Sequence, residues 1–223
     1  MAGQRRTFRR EGEAQRRDGL IAAALDCIAD GGPGGATVRA IADRAGVTPG
    51  LIRHYFSTKE ELLTAAYDRL MTRMTDDSAR LLTGDLLTAG QRLSRFVAAA
   101  VTPPVVDARS MSLWAGFIHM VLKDETMRGT HSQTYLGFRD RLQDLIAAAL
   151  TEMDQHLSPQ RLRQLAIAGN AVIDGLWLEG CALPEAFADG ELAQIALASV
   201  SAITGLALAD AAQLGAVPKD QPA

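Results

Sequence analysis

The sequence predicts an all-α protein, with a small N-terminal domain of three helices followed by a larger helical domain. Apolar residues recur at helical spacing over most of the 223 residues, and no segment alternates as a strand over a convincing length. Proline and glycine separate the helical segments. The length exceeds that of one typical small domain, so a second and larger core is expected.

The N-terminal segment predicts a basic arm followed by one amphipathic helix. Six arginines precede Asp18 in a mostly polar stretch, without the apolar region that follows the charges of a secretory signal. The stretch from Arg5 to Arg17 could bind phosphates or the minor groove, or could equally form a solvated tail. A helix is predicted from about Asp18 to Asp30, and the glycine-rich run 31–35 predicts a linker.

Residues 36–59 predict two short helices joined by a three-residue turn. Thr37 is a favourable N-cap, and Gly46 can adopt the left-handed φ that ends a helix. Thr48 then caps a second helix whose first residue is Pro49, where the missing N–H costs nothing. Small Ala42 and the apolar residues of the second helix allow a close crossing. This is a helix-turn-helix layout, which places its second helix in the major groove of DNA.

The exposed side of the second helix carries the groups that we expect to contact DNA. Arg53 and His54 have little structural reason to lie on so short a helix, although an αα-corner used only for packing is an alternative. Capping-box patterns in residues 57–61 begin the next helix and place the Lys59 ammonium where a phosphate is favoured. The predicted DNA-binding residues are Thr37, Thr48, Pro49, Gly50, Arg53, His54, Tyr55 and Lys59.

Charge and cysteine usage agree with a cytoplasmic nucleic-acid-binding protein. The formal net charge of −3 by itself argues against nucleic-acid binding, but the first 59 residues hold ten Lys/Arg against six Asp/Glu, so the N-terminal part is basic. Cys27 and Cys181 lie far apart in apolar helical stretches, which is typical of a reducing compartment. No metal-ligand spacing or phosphate-binding loop occurs in the sequence, so we expect neither a metal nor a cofactor.

The rest of the chain predicts a domain made of helices alone. After the cap at Ser57, helices are expected over residues 57–82, 85–101, 108–122, 125–153, 158–182 and 188–209. The predicted division is a DNA-binding domain with its arm over residues 1–56, a helical domain over 57–215 and a flexible tail over 216–223. Only residues 192–209 come near membrane length, and their polar side chains argue against a membrane span.

One face of the helix predicted over residues 158–182 has the composition of a ligand pocket. Asn170, Asp174, Trp177 and Cys181 share this face at spacings of i, i+4, i+7 and i+11, and Trp114 and Phe117 form a stripe on an earlier helix. A carboxylate beside a tryptophan face suits an organic cation, with a cation–π attraction of roughly 0.5 to 2 kcal/mol. The alternative is a buried Asp–Asn hydrogen bond with tryptophan as core filler.

The last two predicted helices are rich in small and apolar residues, beyond what one monomer's core can cover. A two-fold homodimer through an intermolecular four-helix bundle therefore follows. Two recognition helices about 34 to 36 Å apart would fit a pseudo-palindromic operator. The predicted interface seam consists of Leu192, Ile195, Ser199, Ile203 and Leu206.

The chain resembles the TetR family of transcriptional repressors over nearly its full length, with residues 36–59 as a specific match. The segments 114–117 and 173–178 further resemble the BetI branch of that family. The resemblance implies a helical dimer with N-terminal DNA-binding domains, a C-terminal domain for ligand binding and dimerisation, and no enzymatic activity. It also implies that Tyr55 and Lys59 bind phosphates. The family often has an aromatic residue where Arg53 stands, so Arg53 could instead read a base.

We therefore expect a ligand-responsive DNA-binding regulator, most simply a repressor that leaves its operator when a small molecule binds. An activator or architectural protein without an effector is an alternative. A helical enzyme using Asp174, Glu179 and His119 is a weaker one, because no nucleophile paired with a base and no metal spacing supports it. The operator sequence and the identity of the effector are not encoded in any motif of the chain.

Overall fold

The computed structural model describes residues 2–80 and 87–208, with side chains over 12–78 and 87–208. This part of the chain forms α-helices and one 3-10 turn, Pro184–Ala186, and it contains no strand, which agrees with the predicted all-α class. The helices are α1 Ala2–Gly35, α2 Val38–Ala45, α3 Pro49–Tyr55, α4 Lys59–Arg80, α5 Ala89–Ala100, α6 Ala108–Val121, α7 Glu125–Glu152, α8 Pro159–Ala182 and α9 Glu191–Thr204.

The first helix is longer than the sequence predicts. Its backbone is helical from Ala2, so the predicted basic arm is part of α1, which fits the good helix propensity of its Arg, Glu and Gln residues. The glycine run 31–35 is not a separate linker either. It is joined to α1 across a kink at Gly32, whose φ of 65° and ψ of −173° are not helical. Side chains of residues 2–11 lie outside the described part.

The later helix boundaries follow the sequence patterns closely, with two exceptions. Helix α9 is shorter than the predicted 188–209, because it begins after Gly190 and ends at Gly205, both of which have left-handed φ values. Helix α5 begins at the capping box of Thr88 with Gln91 rather than at residue 85. The predicted helix end near 82 and the predicted tail 216–223 lie outside the described residues.

The chain divides into two compact units. The first consists of Met1–Met71 with Ser112–Ser132, and the second of Thr72–Met111 with Gln133–Ala223. The boundaries between the units fall within helices α4, α6 and α7, so each unit is built from more than one segment of the chain. The predicted boundary after residue 56, between a DNA-binding domain and a helical domain, stays a prediction.

Each unit has its own apolar core. In the first unit, apolar side chains of α1 to α4 and of the adjoining parts of α6 and α7 are fully buried; the largest are Tyr67, Phe56, Phe117, Leu20, Ile28, Ile41, Ile52, Leu62, Leu63 and Met127. In the second unit, α5, α7, α8 and α9 bury a cluster around Phe96, Leu142, Ile146 and Val200. Both cores are built from one face of each helix, as amphipathic spacing predicts.

Helix α8 is the described segment nearest to a membrane span, in place of the predicted residues 192–209. Its best window reaches a mean hydropathy of 1.2, and 44% of that window is buried inside the protein. Leu165, Ile173 and Trp177 of α8 lie in or beside the core of the second unit. A helix buried on one side in a protein core has this composition without crossing a bilayer.

Candidate DNA-binding surface and effector site

The helix-turn-helix is held by local caps and a small shared core. The Thr37 hydroxyl accepts a hydrogen bond from the Ala40 N–H at 3.1 Å, which caps α2 as the sequence predicts. Gly46 ends α2 with a φ of 65°, and the Val47 N–H then donates to the Ala42 carbonyl at 3.0 Å. Ala42 is fully buried and Ile52 of α3 is 2% exposed, and α2 packs directly against α3.

Helix α3 presents polar and small residues to solvent. Pro49 is its first residue, as predicted, and Thr48 occupies the N-cap position but makes no side-chain capping bond. The Thr48 hydroxyl is therefore not used to cap the helix, contrary to the sequence prediction. Five of the eight predicted DNA contacts are exposed on or beside this helix: Thr48, Pro49, Gly50, Arg53 and His54. Thr37 is exposed as well, while Tyr55 and Lys59 are half-buried.

The end of α3 is anchored by aromatic contacts. The rings of His54 and Tyr55 meet edge to face, with centroids 5.1 Å apart and an interplanar angle of 81°. Phe56 follows α3 with extended backbone and is 1% exposed. The Arg17 guanidinium lies 4.8 Å from the centroid of the Phe56 ring, a cation–π contact that the sequence did not reveal. Arg17, the last arginine of the predicted arm, therefore contacts the residue that directly follows α3.

The start of α4 uses one of the two predicted capping boxes, in a shifted form. The Thr58 hydroxyl accepts from the Glu61 N–H at 3.0 Å, and the Glu61 carboxylate accepts from the Ser57 N–H at 2.8 Å. Glu60 and Glu61 lie in the first turn, where carboxylates complement the positive end of the helix. A phosphate at this point would therefore be bound by the Lys59 ammonium rather than by the helix end.

In the second unit, three polar side chains form a network between α7 and α8. The Tyr135 hydroxyl donates to the Asp174 carboxylate through a short hydrogen bond. The Asn170 amide Nδ2 donates to the Tyr135 hydroxyl at 2.7 Å and to Asp174 Oδ2 at 2.8 Å. Burial raises the pKa of Tyr135 to about 12, and the Asp174 carboxylate acts in the same direction. The phenol therefore keeps its proton at neutral pH.

The other two residues of the predicted α8 face are packed in the protein. The Trp177 indole Nε1–H donates to the Val105 carbonyl at 2.9 Å, and the residue is 7% exposed. Cys181 is 6% exposed, and burial raises the pKa of its thiol. These contacts match the alternative in which Trp177 fills the core beside an Asn–Asp hydrogen bond. A role for Trp177 and Cys181 in ligand binding remains a prediction.

The predicted ligand residues are distributed over both compact units. Trp114 and Phe117 belong to the first unit, whereas the four residues of α8 belong to the second. Phe117 is fully buried and packs on Tyr67, with ring centroids 4.9 Å apart. Tyr135 is central to the polar network, because it bonds both Asp174 and Asn170. Its contact with Asp174 spans 39 positions in sequence, so no local pattern could reveal it.

An open cleft of about 540 Å³ lies in the first unit, and none of these residues lines it. Carboxylates of Glu60, Asp68 and Asp124 line it together with the guanidinium groups of Arg17 and Arg69. Arg69 forms an ion pair with Asp18. Because the lining charges are mixed and exposed, we assign no ligand to this cleft. Among the described residues, no cluster of three or more His, Cys, Asp or Glu could hold a metal ion.

Comparison with known proteins identifies the regulatory fold. Residues 20–66 match the model of bacterial regulatory proteins of the tetR family, and residues 89–205 match the model described as BetI-type transcriptional repressor, C-terminal. The chain belongs to the TetR family of transcriptional regulators. This TetR-family chain is 31% identical to the HTH-type transcriptional regulator BetI of Burkholderia thailandensis, over 74% of its own length and 81% of the relative. Members of the family regulate transcription and are not enzymes.

Solved structures show the same fold. A protein from Pseudomonas aeruginosa PAO1 described as a transcriptional regulator is 29% identical, with a TM-score of 0.78 over 86% of the TetR-family chain and 92% of that structure. A second, from Saccharomonospora viridis, was solved in complex with choline; it is 20% identical, with a TM-score of 0.67 over 82% of this chain and 94% of its own. The match at 20% identity supports the fold alone.

Proposed function

We propose that the protein is a cytoplasmic, homodimeric repressor that binds a pseudo-palindromic operator and leaves it when a small organic cation binds. The observation that carries the DNA-binding role is the position of Arg53 and His54, which are exposed on a seven-residue helix anchored by buried Ile52. In this assignment Arg53, His54 and Gly50 approach base edges, which set specificity. Thr37, Thr48, Pro49, Tyr55 and Lys59 position the phosphate backbone.

An exposed apolar stripe on α8 and α9 supports the homodimer. On α8, Ile167 and Leu178 are 36% and 42% exposed, with Ala171 and Gly175 exposed between them. On α9, Ile195 is 38% exposed. Apolar side chains at helical spacing on two adjacent helices form the kind of surface that a second copy of the chain covers. The proposed interface is Ile167, Ala171, Gly175, Leu178, Ile195, Ala198 and Ala202.

The predicted seam on α9 is refined by burial in the single chain. Leu206 is only 4% exposed and belongs to the core of its own unit, so it offers little surface to a partner in this conformation. Leu192, Ser199 and Ile203 are half-buried, and Leu192 packs toward Gly180 of α8. Of the five residues, Ile195 faces solvent most openly, and it is the one we retain at the centre of the proposed interface.

The polar network of α7 and α8 is the proposed effector site. It places a carboxylate, Asp174, in a half-buried position beside a phenol and an amide, in the domain that matches the BetI-type model. A carboxylate in that setting favours a cation over an anion. A structural neighbour was solved with choline, a quaternary ammonium. We therefore propose an organic cation as the effector.

Selection of bound sequences from random duplex DNA tests this function directly. The purified protein should enrich a two-fold symmetric sequence at low ionic strength, and addition of choline or ethanolammonium should lower the yield of bound DNA. Failure to enrich any duplex would overturn the DNA-binding role. Enrichment that no cation changes would instead favour an activator or architectural protein without an effector of this class.

A further inference from the structure

Asn170 has one buried polar atom without a partner. The residue is 3% exposed, and its Oδ1 is the buried side-chain atom for which the described structure shows no hydrogen bond. Leaving a buried acceptor unsatisfied costs roughly 1–3 kcal/mol, so such atoms are uncommon in folded proteins and call for an explanation. This one lies in the effector site proposed above.

The orientation of the Asn170 amide is fixed by its neighbours. Its Nδ2 lies 2.7 Å from the Tyr135 hydroxyl and 2.8 Å from Asp174 Oδ2, so both amide hydrogens have acceptors. A flipped amide would place Oδ1 at 2.8 Å from a carboxylate oxygen, where two acceptors repel each other. The network therefore requires Nδ2 to face Asp174, and Oδ1 is left pointing away from it.

The groups left to a ligand are hydrogen-bond acceptors. The Tyr135 proton is already donated to Asp174, and both Nδ2 hydrogens of Asn170 are in use. Asn170 Oδ1 has no such partner, and the same amide contacts the Asp174 carboxylate through Nδ2. An anionic effector, such as a fatty acid or a phosphate ester, would meet repulsion from both, whereas a cation that carries its own N–H or O–H would satisfy both.

We propose that Asn170 is a specificity-determining residue, which selects effectors that combine a positive charge with an N–H or O–H donor. The donor binds Asn170 Oδ1, and the cationic centre lies toward the Asp174 carboxylate. This inference rests on the proposed effector site and adds to it a requirement that charge alone does not impose. Tyr135 acts as a positioning residue, because its hydrogen bonds hold the Asn170 amide in the required orientation.

Two probes that differ by one hydrogen-bond donor test the inference. Choline has one hydroxyl, and its O-methyl ether has the same charge and nearly the same shape without the O–H. Isothermal titration calorimetry on the full-length protein should show choline binding about fivefold to tenfold more tightly, the range expected for one net hydrogen bond. In Asn170→Ala the difference between the two probes should disappear, with dichroism and DNA binding checking that the variant is folded.

The outcomes separate this inference from the proposed function. Equal affinities of the two probes for the wild-type protein would overturn the role of Asn170 while leaving the cation site standing, and this comparison holds even if the variant does not fold. A difference that persists in Asn170→Ala would also overturn it, because another group would then accept the O–H. If neither probe nor ethanolammonium binds at all, both the organic-cation effector and the inference are wrong.

Discussion

The Tyr67 hydroxyl lies 2.6 Å from Nδ1 of His131, and the two rings are stacked at an interplanar angle of 22°. Tyr67 is on α4 and completely buried, and it also packs on Phe117 of α6. With the imidazole neutral and its proton on Nε2, the phenol donates to His131. Helices α4, α6 and α7 of the first unit therefore meet around Tyr67. Helix α4, which carries this tyrosine, directly follows the helix-turn-helix.

Burial of Tyr67 predicts a loss of stability at alkaline pH. Burial raises the pKa of this phenol from 10.0 to about 12, so the unfolded chain loses the proton first as the pH rises. The free energy of unfolding should then fall between pH 10 and pH 12 by about 2 kcal/mol more in the wild type than in Tyr67→Phe. Urea unfolding of both proteins at pH 9 and pH 11.5 measures this, and parallel losses would contradict it.

Gly46 and Gly50 should respond in opposite ways to alanine. Gly46 has a φ of 65°, where a Cβ costs roughly 1–2 kcal/mol, so Gly46→Ala should destabilise the protein. At Gly50 a Cβ would meet only Thr48 Oγ1 at 3.8 Å, so Gly50→Ala should gain up to about 1 kcal/mol of helix propensity. If Gly50 approaches base edges, operator affinity should nevertheless fall.

A matched glycine on another helix controls for this result. A Cβ on Gly129 of α7 would meet nothing within 4 Å, so Gly129→Ala should change stability much as Gly50→Ala does and leave operator affinity unchanged. Urea unfolding and fluorescence anisotropy with labelled operator measure the two quantities. Unchanged DNA binding in Gly50→Ala would show that this position does not approach the duplex.

Lys59 and Arg53 should differ in how they affect DNA binding. Lys59→Ala should weaken binding to every sequence and lower the slope of log affinity against log salt by about one, since one phosphate contact is lost. Arg53→Ala should cost about 1–3 kcal/mol on the selected operator and relax preference at one base pair. Arg163→Ala, exposed on α8, is the charge-matched control. A Lys59 variant with the parental salt slope would remove its phosphate assignment.

A charge placed in the apolar stripe of α8 should separate the proposed dimer. Leu178 is 42% exposed in the single chain, and Leu178→Glu would bury one carboxylate from each copy in the proposed interface. Dimer affinity should fall by at least about tenfold, since one unpaired buried charge costs several kcal/mol. Sedimentation equilibrium measures the change, with operator affinity expected to fall in parallel.

Leu122 provides the control for that experiment. It is 71% exposed directly after α6 and belongs to the first unit, outside the proposed interface. Leu122→Glu introduces the same side chain on an equally apolar residue and should leave the dimer intact. A monomeric wild-type protein, or equal dissociation in the two variants, would rule out the α8 stripe as the interface.

Local signals in the sequence determined most of the helix-turn-helix formed by α2 and α3. The cap by Thr37, the left-handed Gly46 and the first-turn Pro49 act through atoms within about four residues, so their positions could be predicted and are found as expected. The same reasoning failed for the Thr48 cap, since a capping residue at the right position need not form the bond. It also missed the helical arm, because good helix formers were interpreted as a polar tail.

The sequence by itself determined the helical class, the helix-turn-helix and a basic N-terminal part, since helical spacing and caps are local properties. Only the tertiary structure decided which polar groups meet. Tyr67 reaches His131 across 64 positions, and Tyr135 reaches Asp174 and Asn170 across 39 and 35. Those contacts depend on how whole helices pack, which no short segment encodes. The same packing leaves Asn170 Oδ1 buried without a hydrogen-bond partner, and the proposed chemistry of the effector rests on that atom.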